Sequence, residues 1–133
     1  MLLMALGDPR AENCRCLSID NGRLSFRSGG RKISTNATIA PGLWTHVAVS
    51  SDGSDVTLFA DGRRVSSGAA QMPTVPPKIA IAPPAEGHPH FGGSLVEATV
   101  EDRALNASQV AALVHARPRF ELVQMWNVGV GWE

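Results

Sequence analysis

The chain carries no excess of either charge, because twelve Lys and Arg balance twelve Asp and Glu over 133 residues. That removes the electrostatic case for nucleic acid or an anionic membrane surface as partner, since both need a basic face to offset phosphate charge. No apolar run approaches the ~20 residues needed to span a bilayer. Met1–Leu6 is apolar, but it has no basic flank or cleavage site, and Gly7, Asp8 and Pro9 end it at once. It is too short for a signal peptide and reads as a β-strand. Internal repeats and low-complexity tracts are missing, as are a nucleophile elbow, a phosphate loop and a Cys-x-x-Cys pair. Cysteine is scarce, with only Cys14 and Cys16, one residue apart. On an extended strand they would share a face with Cα atoms near the upper limit for a disulfide, so they are read as free thiols. No further metal ligands flank them, and the redox compartment stays open.

What is present points to one β domain. Hydrophobic residues make up 44% and charged residues 18%, which excludes a disordered chain. Thirteen Gly and nine Pro are scattered between short apolar stretches, as a many-turned β protein requires. Asn21-Gly22 joins Leu17–Ile19 to Leu24–Arg27 as a hairpin, and Lys32–Ser34 begins a further strand. From Leu43 to Ser66 the pattern predicts a three-stranded meander. Trp44–Ser50 and Val56–Ala60 flank a turn at 51–54, and Asp61-Gly62 leads into Arg63–Ser66. Such a meander needs a second sheet to cover its apolar face. Met72–Pro77 is a crossing loop, Lys78–Ala82 a strand, and Pro83–Phe91 another loop. Gly93–Glu101 reads as a longer strand, with Val96, Ala98 and Val100 on its apolar face. One helix is expected over Ala107–His115, with Asn106 as N-cap, Gln109 as its capping-box partner and Val110, Leu113 and Val114 as the apolar stripe. Phe120–Trp126 reads as a last strand, trailing through Val128–Trp132.

Three motifs resemble those of the laminin-G-like jelly rolls, a branch of the concanavalin A-like lectin/glucanase superfamily. Trp44-Thr45-His46-Val47-Ala48 is similar to the family's Trp-x-His-Val-Ala strand, and Val56–Gly62 to its hairpin ending in Asp-Gly. Phe91–Glu97, followed by Arg103-Ala104-Leu105-Asn106, is similar to its Gly-x-Leu-x-Glu strand and the lead into its short helix. The resemblance implies an all-β, antiparallel jelly-roll sandwich of the concanavalin A-like/laminin-G type with one short helix near the C-terminus. Residues 1–133 form a single domain in this reading, which departs from the family in showing no strands ahead of Met1–Leu6. A sheet lacking such strands has an open edge, which suits pairing with a second copy.

The same resemblance implies a non-catalytic recognition module for carbohydrate, accessory to a larger exported protein and acting outside the cell or in the periplasm. The alternative is a structural or protein–protein module. Catalysis is disfavoured by geometry. Glu97 and Glu101, four strand positions apart, lie roughly 13 Å from each other. A retaining glycosidase needs its carboxyls about 5–5.5 Å apart. The intervening acid of the family's glucanases is replaced by Thr99.

His46 is read as a structural histidine within its strand. The ligand-binding residues expected are His88 and His90 on the proline-rich loop, together with Trp132, an exposed indole that suits sugar stacking. Trp126 is expected to be buried. No cofactor or metal is expected. Calcium is left open by Asp52, Asp61 and Asp102, although Asp52-Gly53 and Asp61-Gly62 are already explained as turns. Asn36-Ala37-Thr38 and Asn106-Ala107-Ser108 match the glycosylation sequon.

Overall fold

Asn21 and Gly22 both take positive φ, 52° and 75°, and this left-handed pair folds the chain back on itself with the twist a hairpin needs. In the computed structural model, which describes residues 1–72, 75, 78–83, 91–98, 100, 103–115 and 129–132, that turn joins β2 (Arg15–Asp20) to β3 (Arg23–Ser28). β1 (Leu2–Leu6) pairs with β2, and β4 (Arg31–Thr38) pairs with β3, both antiparallel. β8 (Ile79–Ile81) adds to the far side of β1, giving the order β4-β3-β2-β1-β8. The meander forms as the sequence implies. β5 (Val47–Ser51), β6 (Asp55–Ala60) and β7 (Arg63–Ala69) make a three-stranded antiparallel sheet. Its second turn again uses two positive-φ residues, Asp61 at 50° and Gly62 at 79°.

The two sheets stack over a common core. Leu3, Ile19, Leu24, Phe26 and Ile33 from the five-stranded sheet pack with Val56 and Leu58 from the meander, and all are buried. Ile33 and Gly68 show how close the layers come, because a Cβ added at Gly68 would lie 3.5 Å from the Ile33 side chain. Ser28 ties the layers at one end, donating to the Gln71 carbonyl at 2.7 Å, and Ser66 donates to the Ser34 carbonyl at 3.0 Å. The result is the expected antiparallel jelly-roll sandwich with one short helix, α1 (Ala107–His115), near the C-terminus. Its capping box is reciprocal. Gln109 N–H donates to Asn106 Oδ1 and Asn106 N–H to Gln109 Oε1, each at 2.9 Å. Val110 and Val114 are buried.

Four expectations are corrected. The strand expected from Trp44 begins instead at Val47, and Trp44 is half-buried outside it. The cause is Asp61, whose carboxylate accepts the His46 N–H at 2.9 Å while its own N–H donates to the His46 carbonyl at 2.7 Å. With both His46 backbone groups held, the regular ladder starts at Val47 opposite Ala60.

The strand expected over Gly93–Glu101 stops at Glu97 as β9 (Gly93–Glu97). Alternation fails beyond its end. Ala98 and Val100, expected to be covered, are exposed, whereas Leu95 from the other row packs on the core.

The tail is not a loose trailing segment, because Gly129–Trp132 forms β10 and pairs antiparallel with β9. The strand expected over Phe120–Trp126 lies outside the described residues, as do Pro73, Thr74, Pro76 and Pro77 of the crossing loop.

The cysteines are not free thiols: Cys14 and Cys16 form a disulfide with their Cα atoms 5.9 Å apart. Cys14 lies ahead of β2 at the end of a turn, with its N–H on the Ala11 carbonyl at 3.2 Å, so the span is shorter than two extended residues would give.

Candidate functional site

Hairpin register determines which side chains share the outer face of the five-stranded sheet. Ile19 opposite Leu24 and Leu17 opposite Phe26 point into the core, so Ser18 opposite Ser25 and Asp20 opposite Arg23 point away from it. β4 extends the same row with Lys32, paired to Arg27, and Ser34, paired to Ser25. The loop at residues 8–14 sits over one end of this face, where Arg27 Nη2 donates to the Pro9 carbonyl at 3.1 Å and to Cys14 Sγ at 3.0 Å.

The other end is open. A cleft of about 610 Å³ lies there, lined by Asp20, Asn21, Arg23, Lys32, Asn36 and Ser66 among others. It lies between the β2–β3 turn, the β4 strand and the neighbouring stretch of β7.

Asp20 organises the floor. Its Oδ2 accepts from Ser25 Oγ at 2.8 Å, from Lys32 Nζ at 2.9 Å and from Ser18 Oγ at 3.2 Å. Ser18 and Ser25 are buried and bond each other at 2.8 Å. The Met1 amine lies 3.6 Å from Oδ1. Partial burial pushes the Asp20 carboxyl up, but the Lys32 and Ser25 hydrogen bonds, the Lys32 charge and the Ser18 hydroxyl outweigh it and hold the group at about 2. The carboxylate is therefore ionised throughout the physiological range. This arrangement offers charges, amides and hydroxyls across an open polar floor, the chemistry that matches a hydroxyl-rich ligand.

The ligand residues expected from sequence are not tested by the described residues. His88 and His90 lie outside the described residues, and so does Trp126. Trp132 belongs to β10, opposite Gly93, and only its backbone is described. Glu101 and Thr99 are likewise outside, and of Glu97 only the strand position is described. His46 is buried at 3% exposure, inside the sandwich as its structural reading requires. Asp52 is occupied by its turn, where Oδ1 accepts from Asp55 N at 2.8 Å and from Ser54 N at 3.0 Å, bonds that lower its pKa. Asp61 is held by His46, and Asp102 lies outside the described residues. Among the described residues, no three of His, Cys, Asp and Glu come together as a metal site.

The cleft residues were missed because their grouping depends on β3–β4 pairing. The signal that could have found Asp20, Arg23 and Ser25 is the mirrored polar row Ser18, Asp20, Arg23 and Ser25 about the Asn21-Gly22 turn, since that turn fixes the register.

Comparison with known proteins agrees with the fold. A family model described as the concanavalin A-like lectin/glucanases superfamily, of the laminin-G type, matches residues 11–111. No curated protein matches the chain. A crystal structure of an S-layer domain-containing protein (residues 221–444) from Clostridium thermocellum ATCC 27405 is similar to it at 22% identity, with a TM-score of 0.48. The match covers 85% of this chain and 62% of that one, so the chain spans less than two thirds of that structure's length.

Proposed function

The chain belongs to the concanavalin A-like lectin/glucanase superfamily, and from that premise we propose that it is a non-catalytic carbohydrate-recognition module, accessory to a larger exported protein. One observation carries this reading: the open polar cleft on the outer face, about 610 Å³, floored by the Asp20 network and walled by Asn36 and Ser66. A cavity in the ~300–1,000 Å³ range suits a small ligand. The amide and hydroxyl groups around it suit one that is itself rich in hydroxyls. The non-catalytic part of the reading follows the family, whose laminin-G-type domains are often binding modules. The Cys14–Cys16 bond supports an oxidising compartment. Among the described residues no helix is long and apolar enough to cross a membrane.

A glycan array followed by calorimetric titration tests the proposal. Saturable binding to at least one glycan is expected, weakened about tenfold by Asn36→Ala combined with Ser66→Ala, the loss that follows from removing one or two net hydrogen bonds. Binding untouched by that pair but lost on alanine substitution at His88, His90 or Trp132 would move the ligand to the loop rim. No saturable binding to any glycan would overturn the reading.

A second reading is favoured by a different feature. β8 pairs with β1 and, among the described residues, with no other strand, and its Ile79 and Ile81 are 52% and 45% exposed. An exposed apolar edge of this kind suits pairing with a second copy or a neighbouring domain. A concentration-dependent dimer in sedimentation, abolished by Ile81→Lys, is its expected signature.

A further inference from the structure

The register of the β2–β3 hairpin sets Asp20 directly opposite Arg23. Opposite charges so placed ordinarily pair across the strands. Here they do not. The Asp20 carboxylate turns along the sheet to Ser18, Ser25 and Lys32, with Lys32 Nζ at 2.9 Å and the Met1 amine at 3.6 Å. The acid is paired with Lys32, and the Arg23 guanidinium, exposed at the lip of the cleft, makes no hydrogen bond or ion pair among the described residues. On β4, Thr38 stands across from Arg23 and brings no charge to it.

The charges lining the cleft are thus Arg23 and Lys32 against Asp20, a surplus of one positive charge, and the surplus resides on the guanidinium. On the cleft wall, Asn36 and Ser66 are neutral donors and acceptors. A guanidinium is a planar fork of donors that matches a carboxylate with two parallel hydrogen bonds. Neutral amides and hydroxyls match sugar hydroxyls equally well with or without it.

Resting on the carbohydrate reading above, we propose that the cleft takes a carboxylate-bearing sugar, with the acid group clasped by Arg23 and the ring hydroxyls facing Asn36 and Ser66. The Asp20–Lys32 pair below them fixes the floor and shields the incoming carboxylate from Asp20, the only acid in the cleft lining among the described residues. Arg23 acts here as a specificity residue, because it separates an acidic sugar from its neutral counterpart while the rest of the cleft serves both.

The test titrates the chain with methyl galacturonoside, its carboxyl group unesterified, with methyl galactoside, and with galactose 6-sulfate. The acidic sugar is expected to bind about tenfold more tightly than the neutral one, the effect of one charge-assisted pair. Its affinity falls as salt rises, whereas the neutral sugar's does not. Arg23→Gln is expected to remove the preference, bringing the affinity for the acidic sugar down to that for methyl galactoside. The side chain is exposed, and an unaltered urea transition confirms that the variant folds. Arg23→Lys is expected to keep a weaker attraction for both anions, because an ammonium lacks the two-pronged match of the guanidinium. Equal binding of acidic and neutral sugars by the unaltered chain overturns the acid preference while the carbohydrate reading stands. A preference that survives Arg23→Gln overturns the assignment to Arg23. No binding of any of the three sugars, with another glycan bound elsewhere on the array, also overturns the inference, and an array without hits overturns the carbohydrate reading with it.

Discussion

Ser50 and Leu105 are joined by one hydroxyl that closes two backbone groups. Ser50 Oγ donates to the Leu105 carbonyl at 2.7 Å and accepts the Leu105 N–H at 2.9 Å. Leu105 immediately precedes the N-cap of α1, so this clasp fastens the start of the helix to a strand of the meander. Neither backbone group has another partner built into the helix, since both lie ahead of its first turn.

Ser50→Ala removes both bonds at once and leaves a part-buried N–H and C=O without their partner. A loss of about 2–3 kcal/mol is expected, at the upper end for a hydroxyl because two groups are orphaned. Asn106→Ala, which removes only the cap, costs about 1 kcal/mol. Urea denaturation measures both. A Ser50→Ala loss no larger than that of Asn106→Ala would show that the clasp is replaced by water without penalty.

The turn after β6 supplies a second expectation, because Gly62 is needed there for two separate reasons. Its φ is +79°, and a Cβ there would lie 3.2 Å from Ala111 Cα and 3.3 Å from Val114 Cγ2 on the helix. Gly53 also has positive φ, +101°, but a Cβ there meets nothing within 4 Å. Gly53→Ala therefore measures backbone strain alone, about 1–2 kcal/mol. Gly62→Ala adds overpacking against the Ala111 backbone and the Val114 side chain, about 1–2 kcal/mol more. Equal urea midpoints for the two variants would mean that α1 moves aside freely.

These contacts mark the line between what the sequence reveals and what it hides. Asn21-Gly22 and Asp61-Gly62 announce their turns because positive φ is cheap at those residues, and the turns then fix β2–β3 and β6–β7. The Asn106/Gln109 box is legible for a similar reason, since its chemistry is complete within four residues. The clasp from Ser50 joins positions 55 residues apart, and no local pattern carries it. The same holds for the cleft: Lys32 reaches Asp20 across β3, a partnership created by strand order. His46 explains the misplaced strand start, because its pattern is that of a strand and only the Asp61 side chain, 15 positions on, captures its amide.

Asp20 makes the stability of the fold dependent on acidity in a definite direction. Its folded pKa is about 2 against an ordinary 3.8. As the pH falls, the unfolded chain takes up the proton first, so the stabilisation is complete above about pH 4 and is lost as the pH drops toward 2. After allowance for screening at a partly exposed site, the group contributes about 1 kcal/mol. Asp8 and Asp52 are also lowered, by hydrogen bonds from Arg10 and from Asp55 with Ser54 respectively, so acid weakens the fold through them as well. The informative measurement is the difference between the unaltered chain and Asp20→Asn in urea midpoints from pH 6 to pH 2. That difference is expected to be constant above about pH 4 and to shrink below it. A difference that does not change with pH would show that Lys32 and the two serines hold the neutral side chain as well as the charged one.

The Cys14–Cys16 bond closes a very short loop, with a sequence separation of 2. Disulfides stabilise mainly by restricting the unfolded chain, and the effect grows with loop length, so a bridge this short is worth only about 1–2 kcal/mol. Its local role is larger. Both cysteines are buried, at 0% and 2% exposure, and Arg27 holds the Cys14 sulfur and the Pro9 carbonyl together over the outer face. Replacing both cysteines by serine is therefore expected to lower the urea midpoint modestly and to speed amide exchange across residues 8–14. Glycan affinity should be unchanged, because the cleft occupies the other end of the sheet. In the unaltered protein, thiol reagents added after brief treatment with reductant should label neither residue until denaturant opens the core. Rapid labelling of the folded chain, or loss of glycan binding in the serine variant, would show that the bridge and the cleft are one cooperative unit and that the loop over Arg27 positions the floor beneath the ligand.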